Sequence, residues 1–365
     1  MLTKSVYRLM PGDKLVEDVL TPLGSLLLTK DTVLTQREID IIIAFTIESV
    51  KVAPSANDGL NENELTKEKG AAKKAAPKDL TPELSEKEMF IEHYKKMLEV
   101  MRNVNNAVNI NEPIPLLDIR NQLDELFQYI DFYNVISFTP PNFVESDYAL
   151  HKSVVTALTS YYIAKASNQP KKDWMPIALA GLLMDIGNQK IERNILNKEG
   201  KLTHAEMDII KKHTEYGYLI LSNQTAINKG VKLTALQHHE RIDGTGYPLK
   251  LNGESIHIYA KICAIADIYH AMTLNKVYRK AISPYLVMEQ IQSDAFGKLD
   301  PVLVSIFIES LTKFNIGSRV KLNDGRIGEI VFVERSNQTR PWVNVDSEII
   351  NLSLDRSFHI VEVLS

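Results

Sequence analysis

Cysteine is nearly absent: Cys263 stands alone among 365 residues. It cannot close an internal disulfide, which excludes a disulfide-stapled scaffold and fits a reducing compartment. There is no basic excess either. Lys and Arg number 42 against 46 Asp and Glu, for a net charge of −4. That excludes a global field that gathers nucleic-acid polymers, so an anionic ligand must be drawn by local charge. Long apolar runs are missing too. Ile39 to Ile47 falls well short of the roughly 18 residues a spanning helix needs. Met1 to Met10 lack the apolar core and cleavage site of a signal peptide. These absences predict a soluble, cytoplasmic protein with no membrane partner. Core material, by contrast, is ample: 44% of the residues are hydrophobic, and the length suits two or three domains.

Composition divides the chain into segments. Residues 1–52 read as a small module with a hairpin at Leu23 to Thr29 and a strand at Ile47 to Val52. Between them, Thr35 to Phe45 reads as a short helix opened by a Thr35–Glu38 capping box. Residues 53–82 are polar and charged and read as a flexible linker, with a basic tract at Lys73 and Lys74 as the alternative. Residues 83–139 form a helical connector and 140–315 a helical domain. Apolar spacing of three and four predicts helices over 85–108, 114–135, 146–167, 173–187, 203–223, 229–241, 257–275 and 284–313. Thr203 with Glu206 signals another capping box. Residues 316–365 switch to period two about Asn323-Asp324-Gly325, predicting a small β domain, barrel-like or sandwich.

The chemistry gathers in the helical domain. It holds His151, His213, His238, His239 and His270 at helix ends or on helix faces. Asp185 ends the apolar stretch ALAGLLMDIG, and Asp267 sits within AIADIYHAM. A carboxylate among apolar neighbours is costly unless something positive meets it. For either alone, a hydrogen-bonded buried aspartate is the simpler reading. Together with an adjacent histidine pair, they point to a divalent metal centre of iron, manganese or zinc. An aspartate placed between two metals can bridge them. The pair runs into HHERIDGTGYP, residues 238–248. There Gly244 and Gly246 permit a sharp turn and close ligand approach, Pro248 stiffens the exit, and Arg241 offers a planar fork to phosphate. A tight loop with a salt-bridging arginine is the alternative.

Several blocks carry a family resemblance: MDIG (184–187), ILNKEGKLTHAEMDIIKKHTEYG (195–217), HHERIDGTGYPLKLNGESI (238–256), AIADIYHAMT (264–273) and VYRK (277–280). With His151, they make residues 140 to 313 resemble the HD-GYP domain, a branch of the HD superfamily of metal-dependent phosphohydrolases. PGDKLVEDV and LLLTKDTVLTQREID look like a module often found ahead of it. The resemblance implies a mainly α fold: an HD-type helical bundle, with a small α+β N-terminal module and a small β-barrel-like C-terminal module. It implies a cyclic di-GMP phosphodiesterase making the linear dinucleotide or GMP at a two- or three-metal centre, often of iron or manganese; one or two divalent ions, iron or manganese, are expected here. Asp185 would bridge two metals. His213, His238 and His239 would complete one site, and His151 and Asp267 would serve the other. Asp147 stands one helical turn before His151, where some relatives hold a third metal through Glu. Arg241, Gly246, Tyr247 and Pro248 would face substrate. Lys276, Arg279 and Lys280 would bind its phosphates, with Lys276 where Arg is usual.

The sequence also departs from the family pattern. Met184 replaces the histidine of the His-Asp dyad, and a thioether is a poor ligand for hard divalent metals. Asn188 replaces a lysine at the reacting centre beside Asp185, and an amide cannot carry a proton at neutral pH. His270 replaces an aspartate three residues after Asp267, so it shares a helix face and could restore the missing imidazole. Metal binding at Asp185, His213, His238 and His239 is the expectation, while catalysis would need both halves. The two functional expectations are therefore a weakened phosphodiesterase and an inactive module. The second would bind cyclic di-GMP, or a protein partner through the GYP loop or C-terminal β domain, with a dimer compatible.

Overall fold

The computed structural model describes residues 2–6, 9–20, 26–35, 38–39, 42, 47, 49–53, 84–275, 281–295, 297–313 and 315–364. The chain divides into two compact units, Met1–Thr81 and Pro82–Ser365.

In the first unit, β1 (Leu2–Ser5), β2 (Val19–Leu20), β3 (Leu26–Leu28) and β4 (Ser49–Val52) pair antiparallel as β1–β4 and β2–β3. Leu15, Leu34, Ile42 and Val52 form a small core. The Thr35 amide donates to the Glu38 carboxylate at 2.9 Å, one half of the expected capping box. Most of the expected helix Thr35 to Phe45, the tip of the hairpin, and the linker from residue 54 to 83 lie outside the described residues.

The second unit opens with α1 (Glu86–Asn109), started by a complete Ser85–Glu88 capping box, and α2 (Leu116–Gln128). Next come α3 (Tyr148–Ala166) and α4 (Lys171–Leu183), then a 3-10 turn over Ile186–Lys190. The short α5 (Arg193–Leu196) leads to α6 (His204–Lys211), capped by Thr203 and Glu206 as expected, and α7 (His213–Ser222). α8 (Lys229–Gln237), α9 (Ile258–Thr273), α10 (Pro284–Asp294) and α11 (Pro301–Thr312) follow. α3 packs on both α4 and α9, and all three are apolar around most of their circumference, as buried central helices must be.

Two predicted helices are each broken. The 203–223 segment splits at Lys212, so that His213 begins a new helix. The 284–313 segment splits before Asp300, whose carboxylate accepts the Val302 and Leu303 amides and starts α11. Apolar spacing continues across both breaks and does not mark them.

The tail forms β5 (Arg319–Leu322), β6 (Ile327–Phe332), β7 (Trp342–Val345), β8 (Glu348–Asn351) and β9 (Ile360–Leu364). They make one antiparallel sheet in the order β8-β7-β6-β5-β9. Among the described residues no pairing joins β8 to β9, so the hydrogen-bonded sheet is open where a barrel-like closure was expected. The physical reason lies beneath it. Val320, Leu322, Ile330, Val343 and Ile360 belong to the same hydrophobic core as the helices, which cover the apolar face that closure would otherwise have to bury. Arg340 adds an ion pair to Glu289 of α10 at 2.8 Å.

Candidate metal centre

The ends of three helices meet in this unit. Asp185 follows α4, His213 starts α7, and His238 and His239 follow α8. Gly187 makes the meeting possible. A Cβ there would overlap the His213 carbonyl oxygen and crowd the Gly217 amide, so only glycine lets the turn after Asp185 press against α7.

The histidine tautomers follow from their partners. His213 Nδ1 lies 2.7 Å from the Ile210 carbonyl, and His238 Nδ1 lies 3.0 and 3.1 Å from the Thr234 and Ala235 carbonyls. A carbonyl can only accept, so each Nδ1 carries the proton. In the neutral rings both Nε2 atoms are then bare lone pairs, and they face each other across 3.2 Å. Asp185 Oδ1 lies 3.5 Å from His213 Nε2 and 3.6 Å from His238 Nε2. Together with His239, these ligand atoms all fall within 4.8 Å of one another. Burial pushes the His213 and His239 pKa values down, so protonating either of those two rings is not a ready way to relieve the repulsion. A divalent cation is. Three imidazoles and a carboxylate suit iron, manganese or zinc. Backbone carbonyls orient the ring nitrogens of His213 and His238 from behind, as is usual for metal-bound histidines.

The loop after the histidine pair is built on the protein's own backbone. The buried Glu240 carboxylate accepts the Leu249 and Leu251 amides at 2.7 and 2.9 Å. Gly244 adopts a φ of 76°. Gly246 packs so tightly on the Glu240 and Arg241 backbone that a Cβ would overlap it, so the close approach expected for a ligand is made by the chain itself. Arg241 Nη1 donates to the Glu240 carbonyl at 2.9 Å, with the His238 carbonyl at 3.4 Å. Its fork is thus turned at least partly to main chain. Tyr247 stacks on His239 with ring centroids 4.7 Å apart, and its peptide bond to Pro248 is cis.

The other half of the expected centre is differently filled. Lys152, which the sequence reading passed over, places Nζ 2.9 Å from Asp185 Oδ2 and 2.5 Å from Asp267 Oδ1. Burial alone would pull the Lys152 pKa down, but the two carboxylates outweigh it and hold it well above the usual value. Burial likewise opposes the Asp185 charge, yet the Lys152 ammonium keeps its pKa well below the usual range. His151 bonds instead with the Tyr94 hydroxyl, 3.0 Å from Nδ1. Asp147 accepts from Arg102 at 2.6 Å. His270 points its Nε2 at the Thr159 and Tyr133 hydroxyls, at 2.7 and 3.3 Å. Among the described residues, none of His151, Asp147, Asp267 and His270 joins the four-ligand cluster. Asn188 donates to Asp185 Oδ1 at 3.2 Å, which orients the carboxylate. Lys276, Arg279 and Lys280 lie outside the described residues.

One signal could have exposed Lys152. It lies on a helix buried around most of its circumference, where an ammonium is rarely found unpaired. A cleft beside it is lined by Asn105, Tyr148, Lys152, Asp185, Asn188 and Asn197. A second cleft shares Asn105, Asn188 and Asn197 and reaches Arg102 and Arg193.

Comparison with known proteins places this geometry in context. Residues 132–303 match the family model described as HD domain. The cyclic di-GMP phosphodiesterase PA4108 of Pseudomonas aeruginosa is 31% identical over 199 residues, covering 54% of this chain and 48% of that protein. The 3′3′-cGAMP-specific phosphodiesterase 2 of Vibrio cholerae is 35% identical over 146 residues, covering 40% of this chain and 28% of that protein. Among solved structures, Bd1817 of Bdellovibrio bacteriovorus, described as an HDG"Y"P protein, aligns with a TM-score of 0.43 and 14% identity, over 84% of this chain and 97% of that one. The chain spans about half the length, or less, of these curated relatives.

Proposed function

We propose that this chain, which matches the HD domain family model over residues 132–303, is a metal-dependent phosphodiesterase acting on a cyclic dinucleotide, cyclic di-GMP first. The observation that carries the reading is the pair of bare Nε2 atoms facing each other beside the Asp185 carboxylate. Asp185, His213, His238 and His239 would hold the ion, iron or manganese. When bound, it supplies Lewis-acid activation of water and of the phosphoryl oxygens.

The chain's own residues prepare the site. Asn188 fixes the Asp185 carboxylate through its amide hydrogen bond. Lys152, which lines the cleft, offsets the negative charge of Asp185. The amides of Asn105 and Asn197 offer donors and acceptors suited to base edges. The names of relatives on both cyclic di-GMP and 3′3′-cGAMP support the substrate class. Within this reading, residues 140–315 are the working domain. Segment 1–52 is an accessory module joined to it through the 53–82 linker and the 83–139 connector, and segment 316–365 is a second one that follows it directly.

A second reading is an inactive module that binds cyclic di-GMP or a protein partner. Met184 at the dyad position and the paired state of Asp267 favour it. Turnover of cyclic di-GMP and 3′3′-cGAMP by the full chain loaded with manganese or iron(II), followed by chromatography of products, separates the two. Linear dinucleotide or GMP supports the enzyme. Saturable binding without product at full metal occupancy would sink it.

A further inference from the structure

In the two-metal arrangement that the family resemblance implies, a second cation would sit against Asp185 and Asp267, served also by His151 and the dyad histidine. Here that position already holds a positive charge. We propose that the Lys152 ammonium is the resident cation of this second half, so that the centre takes a single divalent ion, at Asp185, His213, His238 and His239.

Four observations converge. Lys152 Nζ reaches both carboxylates at once, 2.9 Å from Asp185 Oδ2 and 2.5 Å from Asp267 Oδ1. The Asp185 carboxylate is divided between its partners: Oδ1 turns to the histidines while Oδ2 turns to the lysine. His151 bonds the Tyr94 hydroxyl through Nδ1, packs on the Phe143 ring with centroids 5.1 Å apart, and lies outside the four-ligand cluster. Met184 contributes only a soft thioether, poorly matched to a hard divalent ion. A second divalent ion would have to displace Lys152 or lie beside an ammonium that burial shields from water, and like charges at contact distance there repel strongly. The lysine thus supplies without a metal the charge that the buried Asp267 and half-buried Asp185 carboxylates require.

This inference rests on the metal-binding reading of the first half and not on turnover. Its test is manganese(II) stoichiometry on the full chain, by elemental analysis after desalting, together with electron paramagnetic resonance. The wild type should retain a single ion per chain and give the six-line spectrum of isolated manganese. Lys152→Ser combined with Met184→His should take up a second ion and show the exchange-coupled spectrum of a pair. Two coupled ions in the wild type would overturn the role of Lys152 and leave the phosphodiesterase reading intact. No ion at all would overturn both. A folded double variant, judged by circular dichroism, that still holds one ion would also overturn the proposal. The wild-type spectrum decides the matter even if the variant does not fold.

Discussion

The two halves of the centre solve one problem in opposite ways. Each buries a carboxylate edge that must meet positive charge. On the histidine side, neutral rings aim bare nitrogens at a common point, and the charge has to come from outside. On the lysine side, the chain delivers the charge itself, from the residue next to a histidine that the resemblance assigns to metal. The lesson is that a retained carboxylate does not imply a retained ion. Asp267 keeps its place on α9 while its partner is an ammonium.

The sharpest way to break this comparison is to remove that ammonium. Lys152→Met leaves Asp185 and Asp267 without the cation they share. It should cost about 3–5 kcal/mol in urea denaturation, the range for breaking a buried ion pair by removing one partner. A loss below about 1 kcal/mol would mean that the lysine is a surface contact only. His238→Ala attacks the opposite half. Manganese affinity by calorimetry should fall at least about 10- to 100-fold, with fold stability in the absence of metal changed much less.

Sequence pattern made much of this legible. The extents of α3 and α9 and the capping box at Thr203 follow from periodicity and residue type, and the convergence of Asp185 with three histidines is what the family resemblance implied. What escaped was pairing across the fold. Lys152 reads as one more surface lysine until α3 is seen buried between α4 and α9. His270 shares a helical face with Asp267 on spacing alone, yet Thr159 of α3 and Tyr133 bond its ring. Gly246 and Arg241 read as ligand-facing, because the Glu240 backbone against which they pack comes close only when the loop closes.

Two smaller tests sharpen the contrast. Glu240→Gln removes the charge that gathers the Leu249 and Leu251 amides. It should cost about 1.5–3 kcal/mol by chemical denaturation, the worth of a charge-assisted hydrogen bond, and leave manganese stoichiometry unchanged. The His270 effect is read through pH, over a single unit. Burial pushes its pKa down to about 3, so the folded state resists a proton that the unfolded chain accepts near its ordinary value of 6.5. Stability from this group is therefore complete above that value and declines as pH falls from 6.5 toward 3, by about 1.4 kcal/mol per pH unit. His270→Gln should flatten the acid limb of melting temperature against pH. An unchanged slope between pH of roughly 6 and 5 would show that the ring titrates normally.

Gly187 carries a consequence for the energetics of ion capture. Because its bare α-carbon lies against the His213 carbonyl, the turn bearing one ligand and the helix bearing another are a single rigid joint. The ordering entropy of bringing them together is lost when the chain folds, before any ion arrives. An arriving ion then has little left to organise. The same joint ties affinity to folding: a methyl group at position 187 would loosen the fold and blunt the ion's grip together, so neither property can drift far without the other.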